Sequence, residues 1–568
     1  MDKKQNQKSA LSAPSFNNRA FSVEELDDAS FPVNSLGHLR LQVQESYDPE
    51  IDVNQGENLI VPAHPVEYGW TPYLIYCSLS VILGSTFIFG YNAVVINEPE
   101  QIFQDFINKS YTDRYNATIG KDDLDTIWLF TVSNFLIGGT IGALVGGMEA
   151  DRFGRKKALI FNSFIGVIAG AMMFMAPFVN IFELLLIGRL IGGIHCGSIS
   201  AIVPAFLMEM APMPLRGAAG TLNQVSIVTG GFIAAVFGLP VILAQENEPN
   251  VWPFLFFPCL ILPLIQIIML LFAVESPRWL ITKRNDEQEA FIALSKLREK
   301  SFARDVIDSE VYTLIAERDA QEALPKLSFW SAFTGALGWP LLICVVMQIA
   351  QQFGGINAAI YYSDSVFAQT GLKDPIPQYA SLGVVFTTVI TTFVSIFVIE
   401  RAGRRILMLV GIGGMLGGCI SITIFMTYSY VSPVFNYITI ASMFIFVAAF
   451  GIGPGSIPWF IAPELSLAQY RPVTIAICTF ANWVSNMTVA FAFPPIQKAI
   501  GTYSFLTFAG INTATFVFTL FFLPETKGLP AEENIQRLSL KRFQICSKKE
   551  DDDVDGMSRT QSRVSNNL

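Results

Sequence analysis

Twelve apolar runs, each long enough to cross a bilayer as a helix, constrain this 568-residue chain more than any other feature. They lie at about 71–96, 126–149, 157–178, 181–207, 218–242 and 251–274. After a polar stretch, six more lie at about 338–363, 378–399, 405–429, 434–461, 473–493 and 502–523. At ~20–24 residues each, twelve crossings use ~240–290 residues, about half the chain. Composition agrees. With Gly (42) counted in place of Tyr (16), the apolar share rises from 52% to roughly 57%, against about 45–50% in soluble domains. The charged share is 15%, against about 25%. Too little charge remains to cover a soluble surface, which excludes a conventional soluble enzyme and predicts an all-α integral membrane protein.

The net charge of -10 comes largely from the two ends and one loop, so it gives no support to a nucleic-acid partner. Six cysteines (Cys77, Cys196, Cys259, Cys344, Cys419, Cys478) fall in apolar runs and Cys546 in the tail, without CxxC spacing; neither a metal site nor a disulfide framework is expected. Residues 1–70 are polar and read as a disordered tail with no cleavable signal peptide. The tail at 525–568 begins the run Asp551, Asp553, Asp555, Gly556 like a calcium loop, but Ser562 stands where that loop needs glutamate. Both tails are long enough to permit cytosolic partners.

Lys and Arg between the spans set orientation. Even-numbered gaps carry Arg152, Arg155, Lys156, Lys157, Arg216, Arg401, Arg404, Arg405 and Arg471, whereas the gaps near 179 and 430 carry none. Both termini are therefore expected in the cytosol of a multi-pass plasma-membrane protein, with 97–125 outside. That outer stretch holds two glycosylation sequons, at Asn108 and Asn116; a third, at Asn486, lies inside a span.

The chain also repeats itself. DRFGRK (Asp151 to Lys156) recurs as ERAGRR (Glu400 to Arg405), an offset of 249. Glu209 and Arg216 recur as Glu464 and Arg471, offset 255, and Glu275 of ESPRW recurs as Glu525 of ETKG, offset 250. Charged motifs repeating in order predict two homologous six-helix halves, 71–274 and 338–524, joined by a cytosolic linker at 275–337 with helical stretches near 286–300 and 306–322. Helix-end charges also set topology, but carboxylates contribute little to that. Asp151, Arg152, Arg155, Glu209, Arg216 and Glu275, with Glu400, Arg404, Arg405, Glu464 and Arg471, are therefore expected to pair between facing helix ends and hold the cytosolic side shut. Such pairs are worth ~1 kcal/mol or less each, a strength suited to a lock that breaks at every cycle.

GRLIGG (Gly188 to Gly193), the run Pro204 to Glu209, Arg216-Gly217, ESPRWL and PETKG resemble the sugar porter branch of the major facilitator superfamily. QQFGGINAAIYY (Gln351 to Tyr362), GPGSIPWF (Gly453 to Phe460) and NWVSN (Asn482 to Asn486) resemble the facilitative glucose transporters. The resemblance covers roughly 71–530 and implies the major facilitator fold, a hexose substrate, no cofactor and no enzyme activity. It further implies that Gln224, Gln351, Gln352, Asn357, Trp459 and Asn486 contact sugar, that Tyr361 and Tyr362 form an outer gate, and that Trp483 lines the inner cavity. The chain departs from that family at Gly451, where glutamate is usual, at Thr388, where asparagine is usual, and at Ile88, where glutamine is usual.

The residues support this independently. Polar side chains inside a membrane are costly and face a wet interior. Gln224, Gln348, Gln351, Gln352, Asn357, Asn482 and Asn486 carry carboxamides that both donate and accept, as the hydroxyls of an uncharged hexose do. Trp459 and Trp483 offer flat surfaces to a sugar ring. Single amides otherwise serve to bond helices together. Gly451, Gly453, Pro454 and Pro458 interrupt the tenth span, as a flexing gate or a static kink.

Proton-linked sugar porters carry aspartate where this chain has Asn92, and an amide carries no proton; Arg189 remains without that acid, and His195 reads as structural. The expectation is a facilitative uniporter of hexose, D-glucose foremost, working by alternating access across the lipid bilayer. A proton-coupled symporter and a non-transporting sugar sensor are the alternatives. By resemblance, Trp459 and the Gln348-Ile349-Ala350 turn favour glucose over fructose.

Overall fold

Backbone amides in hydrocarbon must be paired within the chain, so each apolar run closes its hydrogen bonds as a helix. A computed structural model describes residues 69–538, except 98, 240–241, 244–250, 299–303, 323–334, 362–366, 368–375, 468–469, 530 and 532. The expected N-terminal tail up to residue 68, Tyr362 of the expected outer gate and the acidic run at Asp551 lie outside the described residues.

The first half contains α1 (Pro72–Ile82), α2 (Thr86–Val94), α3 (Glu100–Tyr115), α4 (Lys121–Phe153), α5 (Arg155–Met175), α6 (Phe182–Met210), α7 (Arg216–Phe237) and α8 (Phe257–Phe272). The polar linker forms α9 (Glu287–Leu297) and α10 (Arg304–Glu322). Then come α11 (Gly335–Phe353), α12 (Ile356–Tyr361), α13 (Ile376–Ala402), α14 (Arg404–Thr427), α15 (Pro433–Ile452), α16 (Ile457–Glu464), α17 (Arg471–Ile500) and α18 (Ser504–Phe522). Eleven stretches of the described residues have the length and hydropathy of a membrane span; the longest, Arg471–Phe522, contains both α17 and α18, which makes twelve crossings. Phe161, Phe164 and Ile168 on α5, and Phe393 and Phe397 on α13, are exposed, as lipid-facing side chains are.

Among the described residues three spans are broken, and each break frees backbone groups that side chains take up. Between α1 and α2, Gln266 Nε2 donates to the carbonyls of Ser80 (3.0 Å) and Val81 (2.7 Å), and His195 Nε2 lies 3.2 Å from that of Gly84. His195 Nδ1 is held by Asn162 Oδ1 at 2.6 Å, so this histidine is structural. The seventh span breaks at Gly354–Gly355 and the tenth at Gly453–Ser456.

The repeated strings are turns. Gly154 (φ 97°) and Gly403 (φ 85°) carry the chain from α4 into α5 and from α13 into α14 through a backbone region that side chains rarely adopt. A carboxylate lies under each glycine and caps the helix that follows. Glu275 accepts from Lys156 N (3.0 Å), and Glu525 from Arg404 N (2.8 Å) and Arg405 N (3.1 Å). Gly138, Gly142 and Gly146 let α4 lie directly on the α6 backbone at Leu190, Ile194 and Ser198.

Most of the stretch at 97–125 is α3. Phe103, Phe106 and Ile107 step at helical spacing and bury against Trp128, Trp252 and Phe256. That step was present in the sequence, hidden among polar neighbours.

Candidate functional site

α11, α12 and α17 bring the predicted amides together. Asn482 Nδ2 donates to Gln348 Oε1 and Gln351 Oε1, each at 2.7 Å, and its Oδ1 accepts from Gln352 Nε2 at 2.9 Å. Asn357 Nδ2 donates to Gln352 Oε1 and to Asn486 Oδ1 (3.0 Å). Gln351 Nε2 also donates to the carbonyls of Pro454 (3.0 Å) and Gly455 (2.8 Å), and Gln348 Nε2 to that of Pro458 (2.8 Å). Two of the glutamines therefore hold the broken tenth span in place. Gln352, Asn357 and Asn486 carry the rest of the cluster.

The first half faces this cluster through Gln224 on α7, whose Oε1 accepts from Trp459 Nε1 at 3.1 Å. Trp459 and Gln348 line a small cavity of ≈10 Å³ with Ser200 and Pro204 of α6. Trp483 is 1% exposed. Its ring stacks on Phe89 (5.0 Å) and meets Phe135 edge-on (5.6 Å), and Nε1 donates to Ser200 Oγ at 3.0 Å. A tryptophan of the second half is thus packed into the core of the first, where it does not line an open cavity. Thr388 is buried and donates to Val384 O (3.1 Å), with no hydrogen bond to the amides among the described residues. Tyr361 ends α12. Gly451 lies where α15 presses on α13: a side-chain carbon there would collide with Thr391 Oγ1 and come within 3.1 Å of Thr392 N.

The charged motifs form a hub in each half. Arg155 Nε lies 2.9 Å from Glu209 Oε2 and its Nη1 3.4 Å from Asp151 Oδ1. Arg404 Nη2 lies 3.0 Å from Glu464 Oε1 and its Nη1 3.3 Å from Glu400 Oε2. Ser276 and Thr526, each one residue past its capping glutamate, donate to Glu209 and Glu464 at 2.5 Å. The Arg155–Glu209 and Arg404–Glu464 pairs join neighbouring helices of the same half. Glu275 caps a helix, held by backbone N–H groups while burial pushes its carboxyl above the usual range. Arg152 lies over the Phe153 ring and Arg405 donates to Leu520 O. Arg216 and Arg471 have buried Nε groups without hydrogen-bond partners among the described residues. Glu400 does reach across, lying against Gly217 at the start of α7. Elsewhere on this face a cavity of ≈600 Å³ opens between Asp151, Arg155 and Glu209 on one side and Arg471 and Pro472 on the other. The linker closes on it through Lys283, 2.7 Å from Asp151.

Asn92 Nδ2 donates to Ile88 O (3.1 Å), while Arg189 Nη1 donates to the Asn92 carbonyl (2.7 Å) and its guanidinium sits 4.5 Å from the Phe135 ring centroid. Neutral oxygen and an aromatic face thus receive a buried cation. The sequons at Asn108 and Asn116 are not equivalent. Asn116 is exposed at the C-terminal cap of α3 (φ 50°), followed by exposed Ala117 and Thr118. Asn108 lies within α3, and its Ser110 hydroxyl is buried, donating to Asn180 O at 2.8 Å.

A model of the family "sugar (and other) transporter" matches residues 77–537. The chain is 38% identical over 453 residues to facilitated glucose transporter member 1 of Gallus gallus, covering 80% of this chain and 90% of that one. It is 36% identical over 464 residues to member 3 of Homo sapiens, covering 82% and 92%. Among solved structures it is similar to a proton:xylose symporter bound to 6-bromo-6-deoxy-D-glucose, with a TM-score of 0.70 at 25% identity over 82% of this chain and 99% of that one. The partially occluded inward-open form of the E. coli xylose transporter gives 0.63 at 23% identity, over 81% and 99%.

Proposed function

The chain belongs to the sugar transporter family, a multi-pass all-α protein of the major facilitator fold and not an enzyme, and from that premise we propose that it carries D-glucose by facilitated uniport across the plasma membrane. The reading has two six-helix halves, 71–274 and 338–524, alternating about one midplane site, with the charged face and both termini in the cytosol. Sugar hydroxyls exchange hydrogen bonds with Gln352, Asn357 and Asn486 from one half and Gln224 from the other, while Trp459 offers its face to the ring. The observation that carries this reading is the Gln224–Trp459 bond of 3.1 Å, which joins the halves beside a cluster of neutral amides. Neutral donors and acceptors suit an uncharged polyol. Asn92 supplies no titratable group, which supports uniport over proton coupling.

The test is uptake of labelled D-glucose into proteoliposomes, with L-glucose as control and external pH varied. Expected is saturable, stereoselective uptake and counterflow, indifferent to a pH gradient. Binding without exchange would reject transport, and proton influx accompanying sugar would reject uniport.

A further inference from the structure

Cys344 and Cys478 are buried in one apolar cluster where α11, α16 and α17 meet. The amide bonds fix the register there. Asn482 reaches back to Gln348 at 2.7 Å, and Asn486, further along, is reached by Asn357 at 3.0 Å, so the two spans run in the same direction. One helical turn before Gln348 and Asn482 stand Cys344 and Cys478, so the register sets thiol against thiol. Both side chains belong to that one buried cluster, and Cys344 Sγ lies 3.8 Å from the Ile461 carbonyl of α16. Cys478 and Trp459 both line the ≈10 Å³ cavity, whose lining residues Ala205 and Ile475 also line the ≈600 Å³ cavity open on the charged face. Parting of Ala205 and Ile475 would bring small uncharged solutes from that side to the pair.

Covalent closure of the two thiols needs sulfurs about 2 Å apart, whereas both cysteines are free. A charged thiolate is also costly among apolar side chains. A single soft atom placed between the sulfurs meets neither obstacle. We propose that Cys344 and Cys478 form a dithiol site for trivalent arsenic, entering as uncharged arsenous acid from the charged-face cavity. The step balances without oxidant or net charge: As(OH)3 and two RSH give (RS)2AsOH and two H2O. Two As–O bonds break, two As–S bonds form, each thiol proton leaves on a departing hydroxide as water, and arsenic stays trivalent. The bridge ties α11 to α17 one turn from Gln348 and Asn482, and so arrests the carrier.

Arsenite is the probe. Reconstituted full-length protein is equilibrated with arsenite and freed of excess; bound arsenic is counted by elemental mass spectrometry and labelled-glucose uptake is measured in parallel. Expected is one arsenic retained per chain, with loss of uptake that dimercaptopropanol restores and a monothiol does not. Cys344→Ala and Cys478→Ala each keep basal uptake and lose both the retention and the inhibition. Cys419→Ala, in a separate cluster of the same half, keeps both. Where an alanine variant fails to fold, Cys→Ser at that position makes the same comparison. Retention undiminished in the Cys344 and Cys478 variants, or absent from the unaltered chain, overturns the proposal. The arsenic count is independent of any sugar, so failure of this site and failure of the hexose assignment are separately visible.

Discussion

Glu275→Ala and Glu275→Gln distinguish a helix cap from an interhelical lock. Glu275 Oε1 accepts from Ser276 N at 2.8 Å and Lys156 N at 3.0 Å, with Oε2 3.2 Å from Lys156 N. Gly154, which precedes α5, has no side chain to take over, so alanine at 275 orphans both donors. Losing an N-cap costs about 0.5–2 kcal/mol, and leaving a buried donor unmatched about 1–3 kcal/mol. These costs overlap, and because the site is only partly buried the expected loss for Glu275→Ala is about 2–3 kcal/mol. Glutamine keeps one acceptor oxygen and sheds a charge that burial disfavours, so its cost stays below about 1 kcal/mol. The pH dependence has a definite sign. Burial is the largest influence on this carboxyl and raises its pKa above the usual 4.5, against the opposing N–H donors and Arg155. The native state therefore holds the proton more tightly than the unfolded chain, and this group stabilises the fold progressively as pH falls through its native pKa toward 4.5. Glu275→Gln removes that increment. The assay is the thermal unfolding midpoint in detergent near neutral pH and near pH ~5, with uptake measured alongside. Equal losses from alanine and glutamine, or unchanged midpoints with altered uptake, would refute the cap and restore the lock.

Trp483→Ala is expected to cost about 3–5 kcal/mol through the cavity it leaves, whereas Trp483→Phe loses chiefly the Ser200 bond, about 0.5–1.5 kcal/mol. Thermal midpoints rank the two, and equal midpoints would show that the ring does not anchor the halves. Gly451→Ala overpacks the α13–α15 contact by about 1–3 kcal/mol, and Thr391→Ala relieves it; strictly additive losses in the double variant would dismiss the contact. In a glycosylating host, Asn116→Gln abolishes the gel shift removable by glycosidase and Asn108→Gln leaves it intact; the opposite pattern would mean that glycan transfer precedes the folding of α3.

Much of the candidate site was legible because its chemistry is local. An amide in a hydrocarbon span is expensive wherever it points, so Gln352, Asn357, Asn482 and Asn486 stood out without any knowledge of their neighbours. Their roles did not. Gln348 and Gln351 spend their N–H groups on carbonyls in and just after the break in the tenth span, a demand set by another helix more than a hundred residues away. The resemblance implied that Trp483 lines the inner cavity, yet α17 turns its ring into the opposite half.

The sequence by itself determined the twelve helices and the duplication, because the length of an apolar run and the recurrence of a string are properties of the chain alone. It also determined that Glu209, Glu275, Glu464 and Glu525 matter, through their spacing. Only the tertiary structure decided what each carboxylate does. A carboxylate serves an arginine, a hydroxyl or a backbone N–H equally well, and which it meets depends on donors brought to it from distant parts of the chain. For Glu275 those donors are the first amides of α5, and no sequence rule orders that meeting.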